Sequence, residues 1–406
     1  HSSLFAQEFI KVEPETVGMS SERLEFLTNS LQEYIDNGEL SGSVVLVARR
    51  GQIPYFKSFG KNDIEKDIPM TDNAIFRIAS QTKAIVSVGV MILQEEGKLL
   101  ITDPVGNYIP AFKETTVAVA KGDGKYEIEK ARRQITIRDL LTHTAGIGYG
   151  YGVASDLWKE AGIQGWYFAD QEEPIQATVS RMASLPFVAQ PGEKFVYGYN
   201  TDILGALIEV VSGETLDTFL KTRILDPLGM SDTHFYLPKK KSNRLAVVYS
   251  STKDGIERAP DSGSVGQGAY VKGPRKSFSG GAGYLSTAKD YAIFLQMMLN
   301  GGEFNEKRII SPKTVELMTV NHLGEVDFPW SNGTGFGLGL SVLEDLGLRG
   351  TLGSEGEFGW GGAYHSTYWV DPEEELVVVY FTQLIPAKGV DDHGKLRALV
   401  YQALVD

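Results

Sequence analysis

The stretch Phe76–Leu93, FRIASQTKAIVSVGVMIL, sets one lysine, Lys83, three residues after a serine, Ser80, in a run otherwise almost free of charge. From Ala84 to Leu93 the segment is apolar nearly all round, and a helix of that kind is normally buried. Lys83 is therefore expected to enter the interior. Residues three apart share a helix face, so its amine can lie beside the Ser80 hydroxyl, one turn in from the positive end of the helix dipole. Desolvation and that dipole both disfavour an ammonium group, and a lysine relieved of its charge is a base able to take a proton from an adjacent hydroxyl. The competing reading is ordinary: Ser80 is a plain helix cap, and Lys83 snorkels to water. The segment alone leaves the two in balance.

Spacing does not break the tie. Ser-x-x-Lys also occurs at Ser58/Lys61, Ser250/Lys253 and Ser286/Lys289. Ser58 reads as the end of a strand, Ser250 as part of the turn YSSTKDG, and Ser286 as belonging to a capped helix start followed by Asp290. Only Ser80 opens an apolar helix.

Working outward, residues 20–38 begin with a serine cap, align Leu24, Leu27, Leu31, Tyr34 and Ile35 on one stripe, and stop at glycine, as an amphipathic helix does. Two apolar runs flanking Arg50-Gly51-Gln52 predict a hairpin. The far end mirrors this, with AYHSTYWV and LVVVYFTQL around DPEEE, then a closing amphipathic helix, GKLRALVYQALV. Between the ends, helices are predicted at 80–96, 136–143, 174–185 and 200–222. The simplest architecture is mixed α+β: the two chain ends, 1–75 and 275–406, share one antiparallel sheet flanked by helices, and a mainly helical segment, 76–274, is inserted, with a site at the junction. Two long loops rich in glycine and aromatics, 146–168 and 327–337, read either as walls of a site or as covers for the core.

Composition narrows the function. The 406 residues are 42% apolar with a net charge of −13 and no cysteine. Disulfides, thiolate metal sites and cysteine nucleophiles are thereby excluded. There is no basic stripe, and the run PKKKSNR at 238–244 reads as a surface turn, so nucleic acid is not an expected partner. No apolar run reaches the roughly 18–20 residues of a membrane span. The leading HSSLFAQEF reads as a tag scar or the end of a processed export signal, outside the fold. No Gly-x-Ser-x-Gly elbow, Gly-x-Gly-x-x-Gly or P-loop is present. The six histidines show no metal-binding spacing, so neither metal nor other cofactor is expected. His143, in LLTHTAG, reads as bonded locally at a helix end.

Three segments in order, IASQTK, PGEKFVYGYNTDILGALIEVVSG at 191–213 and GEFGWGGAYHSTYWVDP at 356–372, resemble the serine hydrolases related to class C β-lactamases, penicillin-binding DD-peptidases and family VIII carboxylesterases. LLTHTAGI, ILDPLGMSDTHF and GGAGYLSTAKDY extend the resemblance over about residues 20–385. It implies a β-lactamase/transpeptidase-like fold, no cofactor, a small-molecule ester or amide substrate, and export to a periplasm or beyond. It also implies Ser80 as acylated nucleophile, Lys83 as its partner, Tyr197 as proton shuttle, and the backbone N–H groups of Ser80 and Ala363 as oxyanion hole. Trp360, Gly361 and Gly362, together with Tyr199, Asn200, Tyr149 and Trp330, are expected to meet the substrate.

The chain departs from the β-lactamase pattern in lacking Lys-Thr-Gly, Ser-Asp-Asn and Tyr-x-Asn. Trp360 stands where those enzymes carry the strand lysine that helps hold a substrate carboxylate, which favours uncharged esters, unless His365 or a loop arginine restores the charge. The expectation is a carboxylesterase for small to medium acyl esters. A β-lactamase, a D-amino-acid peptidase and an acyltransferase share the chemistry, and a catalytically silent binding module is the alternative outside it.

Overall fold

The computed structural model describes residues 9–406. Helix α1 (Ser21–Asp36) leads into the hairpin β1 (Gly42–Arg49) and β2 (Gln52–Asp63), with β3 (Ile68–Pro69) at its edge. Strand β4 (Phe76–Arg77) enters a single 3₁₀ turn, Ala79–Gln81, and then helix α2 (Thr82–Glu95). The ribbon β5 (Thr116–Gly122) and β6 (Lys125–Lys130) follows, then α3 (Ile137–Leu141), α4 (Ser155–Glu160), α5 (Ile175–Met182), α6 (Asn200–Ser212), α7 (Leu216–Leu220) and α8 (Asp226–Leu228). A second ribbon, β7 (Tyr249–Thr252) and β8 (Gly255–Arg258), precedes β9 (Leu285–Ser286), which pairs with β4, and α9 (Ala288–Leu299). The rest comprises the ribbon β10 (Glu303–Phe304) and β11 (Lys307–Arg308), α10 (Pro312–Met318), β12 (Thr334–Phe336), β13 (Ser341–Leu343), α11 (Leu346–Arg349), β14 (Phe358–Gly362), β15 (Ser366–Asp371), β16 (Leu376–Thr382) and α12 (Asp392–Tyr401).

One antiparallel sheet of eight strands, ordered β12-β13-β14-β15-β16-β1-β2-β3, joins the two chain ends through the β1–β16 pair. Strand β1 is buried along its whole length because both faces are covered. Its alternating side chains divide between two cores: Val44 and Leu46 pack with α2 and α9, Val45 and Val47 with α1 and α12. A two-sided strand needs a continuous apolar run, and GSVVLVA supplies it. Among the described residues no helix is long and apolar enough to cross a membrane.

Several expectations shift in detail. Helix α2 starts at Thr82, and Ser80 sits in the 3₁₀ turn before it, with no side-chain cap at the helix start. The segment 200–222 is two helices: Gly213, at φ 76°, ends α6, and the Thr215 side chain caps α7 by accepting from Thr218 N–H. Ser58 lies inside β2, and Ser250 lies in β7 instead of a turn. Thr287 is the residue that caps α9. Of the leading nine residues, 1–8 lie outside the described part, but Phe9 belongs to the fold: it is buried edge-on against Phe304.

Helix α2 is held close to α6 and α7 because Gly89 has no side chain. A Cβ there would stand 2.7 Å from Leu220 Cδ2 and 3.1 Å from Ile208 Cδ1. Gly89→Val is expected to lower stability by about 1–3 kcal/mol through overpacking, read as an earlier midpoint in urea unfolding with an unchanged slope.

Candidate active site

The buried face of α2 delivers Lys83, which is 1% exposed. Its ammonium nitrogen donates to Gly281 O at 2.8 Å, Tyr149 OH at 3.2 Å and Ser80 Oγ at 3.4 Å, and lies 4.5 Å from the centre of the Tyr197 ring. A lysine amine has three donors, and each finds an oxygen here without any carboxylate in contact. The snorkelling alternative is thereby removed, and Ser80 and Lys83 are neighbours.

The lysine's strongest acceptor is itself held in place. Asp202, buried in the first turn of α6, accepts from Ser279 Oγ at 2.6 Å and Gly281 N–H at 3.1 Å, fixing the loop that presents Gly281 O. Burial raises the Asp202 carboxyl above the ordinary carboxylate range, against the opposing effects of Ser279, Lys83 and the Gly281 amide. Nothing in the sequence pairs Asp202 with a segment 79 positions on; the only hint was an acid inside an apolar helix.

The tyrosines divide differently from expectation. Tyr149, on the 146–168 loop, is hydrogen-bonded to the lysine, while Tyr197 lays its ring over the amine and accepts the Trp360 indole N–H at 3.0 Å. Burial, then the adjacent phenol of Tyr197, pushes the Tyr149 hydroxyl well above its ordinary value, so it remains a proton donor. Behind Tyr197 stands His143, fully buried at φ 56°, its ring 4.7 Å from the tyrosine ring. Burial and the lysine charge hold that imidazole well below its ordinary value, so it is neutral. Tyr199 and Asn200 do not meet a substrate. Tyr199 is fully buried, stacked on Trp158, with its hydroxyl given to Gly165 O at 2.8 Å. The Asn200 amide nitrogen is spent on His143 Nδ1 and the Ile147 and Val196 carbonyls. Both side chains are buried, whereas Tyr197, two and three residues earlier, lines the cavity.

Strand β14 forms the facing wall. Its pairing with β13 stops at Gly359, so the edge from Trp360 to Gly362 is open towards the Ser80 turn. The approach is close: a Cβ on Gly362 would lie 2.6 Å from Ile78 O. Just beyond, the Ala363 N–H makes no hydrogen bond among the described residues. Between strand and turn lies a cavity of about 550 Å³ lined by Ser80, Tyr149, Tyr197, Trp330, Trp360 and Ala363. Trp166 and His393, which the sequence did not mark as substrate contacts, line it too, as does His365, which the sequence offered as a replacement for the missing strand charge. Trp330 and Trp360, tilted 36° to each other, form an aromatic wall of it, backed by Phe195, Phe328 and Phe336, with Phe195 edge-on to Trp330 and Phe336 edge-on to Trp360. A larger cavity, about 630 Å³ beside Arg77 and Tyr270, has more volume but no serine hydrogen-bonded to a basic side chain. Chemistry, not size, selects the smaller one.

Residues 27–402 match the beta-lactamase family. The chain belongs to that family. Like others in it, this beta-lactamase-family protein is a serine hydrolase on the family's mixed fold of helices and antiparallel sheet. Protein Rv1367c of Mycobacterium tuberculosis is 33% identical over 376 residues, covering 89% of this chain and 90% of the relative. Esterase EstB of Burkholderia gladioli is 31% identical over 360 residues, covering 84% and 86%. Among solved structures, EstCE1, a hydrolase with promiscuous acyltransferase activity, superposes with a TM-score of 0.79 at 28% identity, over 93% of this chain and 98% of that one.

Because Gly362 abuts the Ile78 carbonyl, Gly362→Ala is expected to push β14 away from the Ser80 turn. Turnover of an activated ester should fall about 10²-fold, the scale of an ångström-sized misplacement, while circular dichroism shows the fold retained.

Proposed function

We propose that this protein is a carboxylesterase acting on small to medium acyl esters through an acyl-enzyme on Ser80. The observation that carries the proposal is the buried Lys83 amine within reach of Ser80 Oγ, beside a cavity whose wall is aromatic at position 360 where a β-lactamase would carry a charge.

Lys83 always commits one N–H to Gly281 O. With a lone pair turned to Ser80, the amine takes the hydroxyl proton as Oγ bonds to the substrate carbonyl carbon. The carbonyl oxygen becomes an anion and rests on the Ser80 and Ala363 N–H groups. When the tetrahedral centre collapses, the carbon–oxygen bond to the alcohol breaks and the departing alkoxide needs a proton. Tyr197, whose oxygen accepts the Trp360 N–H, supplies it and is refilled from Lys83 through Tyr149. The proton lost by Ser80 thus ends on the alcohol. Water entering in the alcohol's place reverses the relay and frees the acid. Lys83–Ser80 at 3.4 Å is a long contact, as is common before substrate tightens a site. The aromatic wall suits an apolar acyl or alcohol group, and the absence of a lysine at position 360 favours neutral groups against it.

A second reading, acyl transfer to an alcohol instead of water, has support in the hydrolase and acyltransferase activities ascribed to EstCE1. It uses the same acyl-enzyme. Competing butanol in a nitrophenyl ester assay distinguishes them by the butyl ester formed.

An alkyl phosphonate should label Ser80 stoichiometrically by mass spectrometry, and Ser80→Ala should abolish both label and ester turnover. Lys83→Met and Tyr197→Phe should each lower kcat by about 10²–10⁴-fold with little change in unfolding midpoint, and Tyr149→Phe should lower it by less. Near-normal turnover by Ser80→Ala would refute the proposal.

A further inference from the structure

Beyond Ala363, the turn from β14 to β15 places His365 at φ 63°, a left-handed conformation that is costly for a residue with a side chain. Its ring is held there by a buried carboxylate. His365 Nε2 donates to Asp392 Oδ1 at 2.6 Å, and Asp392, with no exposed surface at the start of α12, also accepts from His393 N–H at 2.9 Å and from Tyr380 OH at 2.7 Å. The His393 ring stacks on that of His365, centroids 4.1 Å apart, and donates from Nε2 to His365 O at 3.2 Å. Nδ1 of His365 has no partner among the described residues and is not sealed from solvent. Among the described residues, and apart from the two phenols, His365 and His393 are the only ionisable side chains lining the Ser80 cavity.

The geometry puts the carboxylate of Asp392 against His365 and leaves His393 stacked behind it. Although burial works against it, the hydrogen bond from His365 keeps the Asp392 carboxyl below its ordinary value, so it is an anion. Burial and a charged His365 lower His393, which stays neutral when its neighbour is cationic. A metal ion fits poorly: the two rings lie face to face with planes 17° apart, so their lone pairs run side by side without converging, and both carboxylate oxygens already accept hydrogen bonds. His365 lines the cavity with its Nδ1 unpartnered among the described residues, so a cationic His365 would put a positive charge at this end, with Ala363 between it and Trp360 along the chain.

We propose that the His365–Asp392–His393 cluster is an anion-binding end of the cavity, and that the preferred substrates are esters with an apolar group on one side of the ester bond and a carboxylate on the other. This rests on the esterase reading above and names its substrate class. Of the two expectations drawn from the sequence, uncharged esters or a charge restored by His365, it takes the second and gives His365 its partners, Asp392 and His393.

The test uses two matched pairs of esters on the full chain at about pH 6, where an ordinary histidine is largely protonated. For a carboxylate on the acyl side, mono-4-nitrophenyl glutarate is compared with its terminal amide. For one on the alcohol side, 4-acetoxybenzoate is compared with 4-acetoxybenzamide. In the unaltered protein, one anionic member should exceed its amide in kcat/KM by about tenfold, and His365→Gln should remove about tenfold from that ratio. Asp392→Asn should lower the ratio in the same direction. A ratio at or below one for both pairs in the unaltered protein overturns the proposal whether or not the variants fold, and so does an unchanged ratio in folded His365→Gln. If the amides are hydrolysed and Ser80 takes the phosphonate while the ratio is flat, only this inference fails; if neither occurs, the esterase reading itself fails.

Discussion

An amine buried to 1% exposure constrains everything around it. Taking a cation, or even a polar amine, out of water is costly unless each donor is met, and Lys83 has no carboxylate to meet it. The structure satisfies it with three oxygens and an aromatic face drawn from four regions of the chain: the Ser80 turn, the 146–168 loop, the turn that enters α6 and the loop before β9. Those oxygens bind the amine without neutralising it through a paired anion. A carboxylate in contact would favour the ammonium form. Asp202 is close enough to matter electrostatically, yet it is spent on Ser279 and the Gly281 amide, so it positions the lysine's acceptor instead of pairing with the lysine.

The second constraint is the closeness of β14 to the Ser80 turn. A strand can approach a backbone carbonyl this nearly only where a side chain is missing, which is why Gly362 faces Ile78 O. The sheet makes that edge available by stopping its β13 partner at Gly359. Trp360, two residues back on the same strand, then meets Tyr197 and closes one end of the cavity with rings, while the turn past Ala363 brings His365 to the cavity as well. One strand thus sets the polarity of the site from both directions.

Much of this was legible in the sequence, and the parts that were not share a cause. The apolar run after Lys83 announced burial, since periodicity records which faces a helix hides. The hairpins around Gly51 and around Asp371–Glu375 were readable from alternation and turn residues. The split between α6 and α7 was missed because the apolar pattern continues across Gly213, and only its left-handed backbone ends the helix. The family resemblance implies Tyr199 and Asn200 as substrate contacts, because they stand at and beside the position where Tyr-x-Asn would put its asparagine, yet the structure buries both. Adjacent residues on a turn point in different directions, and no pattern in a single sequence says which one faces the open side.

The sequence by itself determined the local elements and the mixed class, and offered the pairing of Ser80 with Lys83 as one of two readings, because these depend on spacings of three or four residues and on alternation along one strand. Tertiary structure alone decided that Tyr149 holds the lysine, that Gly281 and Asp202 secure it, and that His365, Asp392 and His393 gather at the cavity. Each of those contacts joins groups from segments distant in the chain, most of them tens of positions or more apart, so its existence depends on how the sheet and helices dock, a property no local pattern encodes.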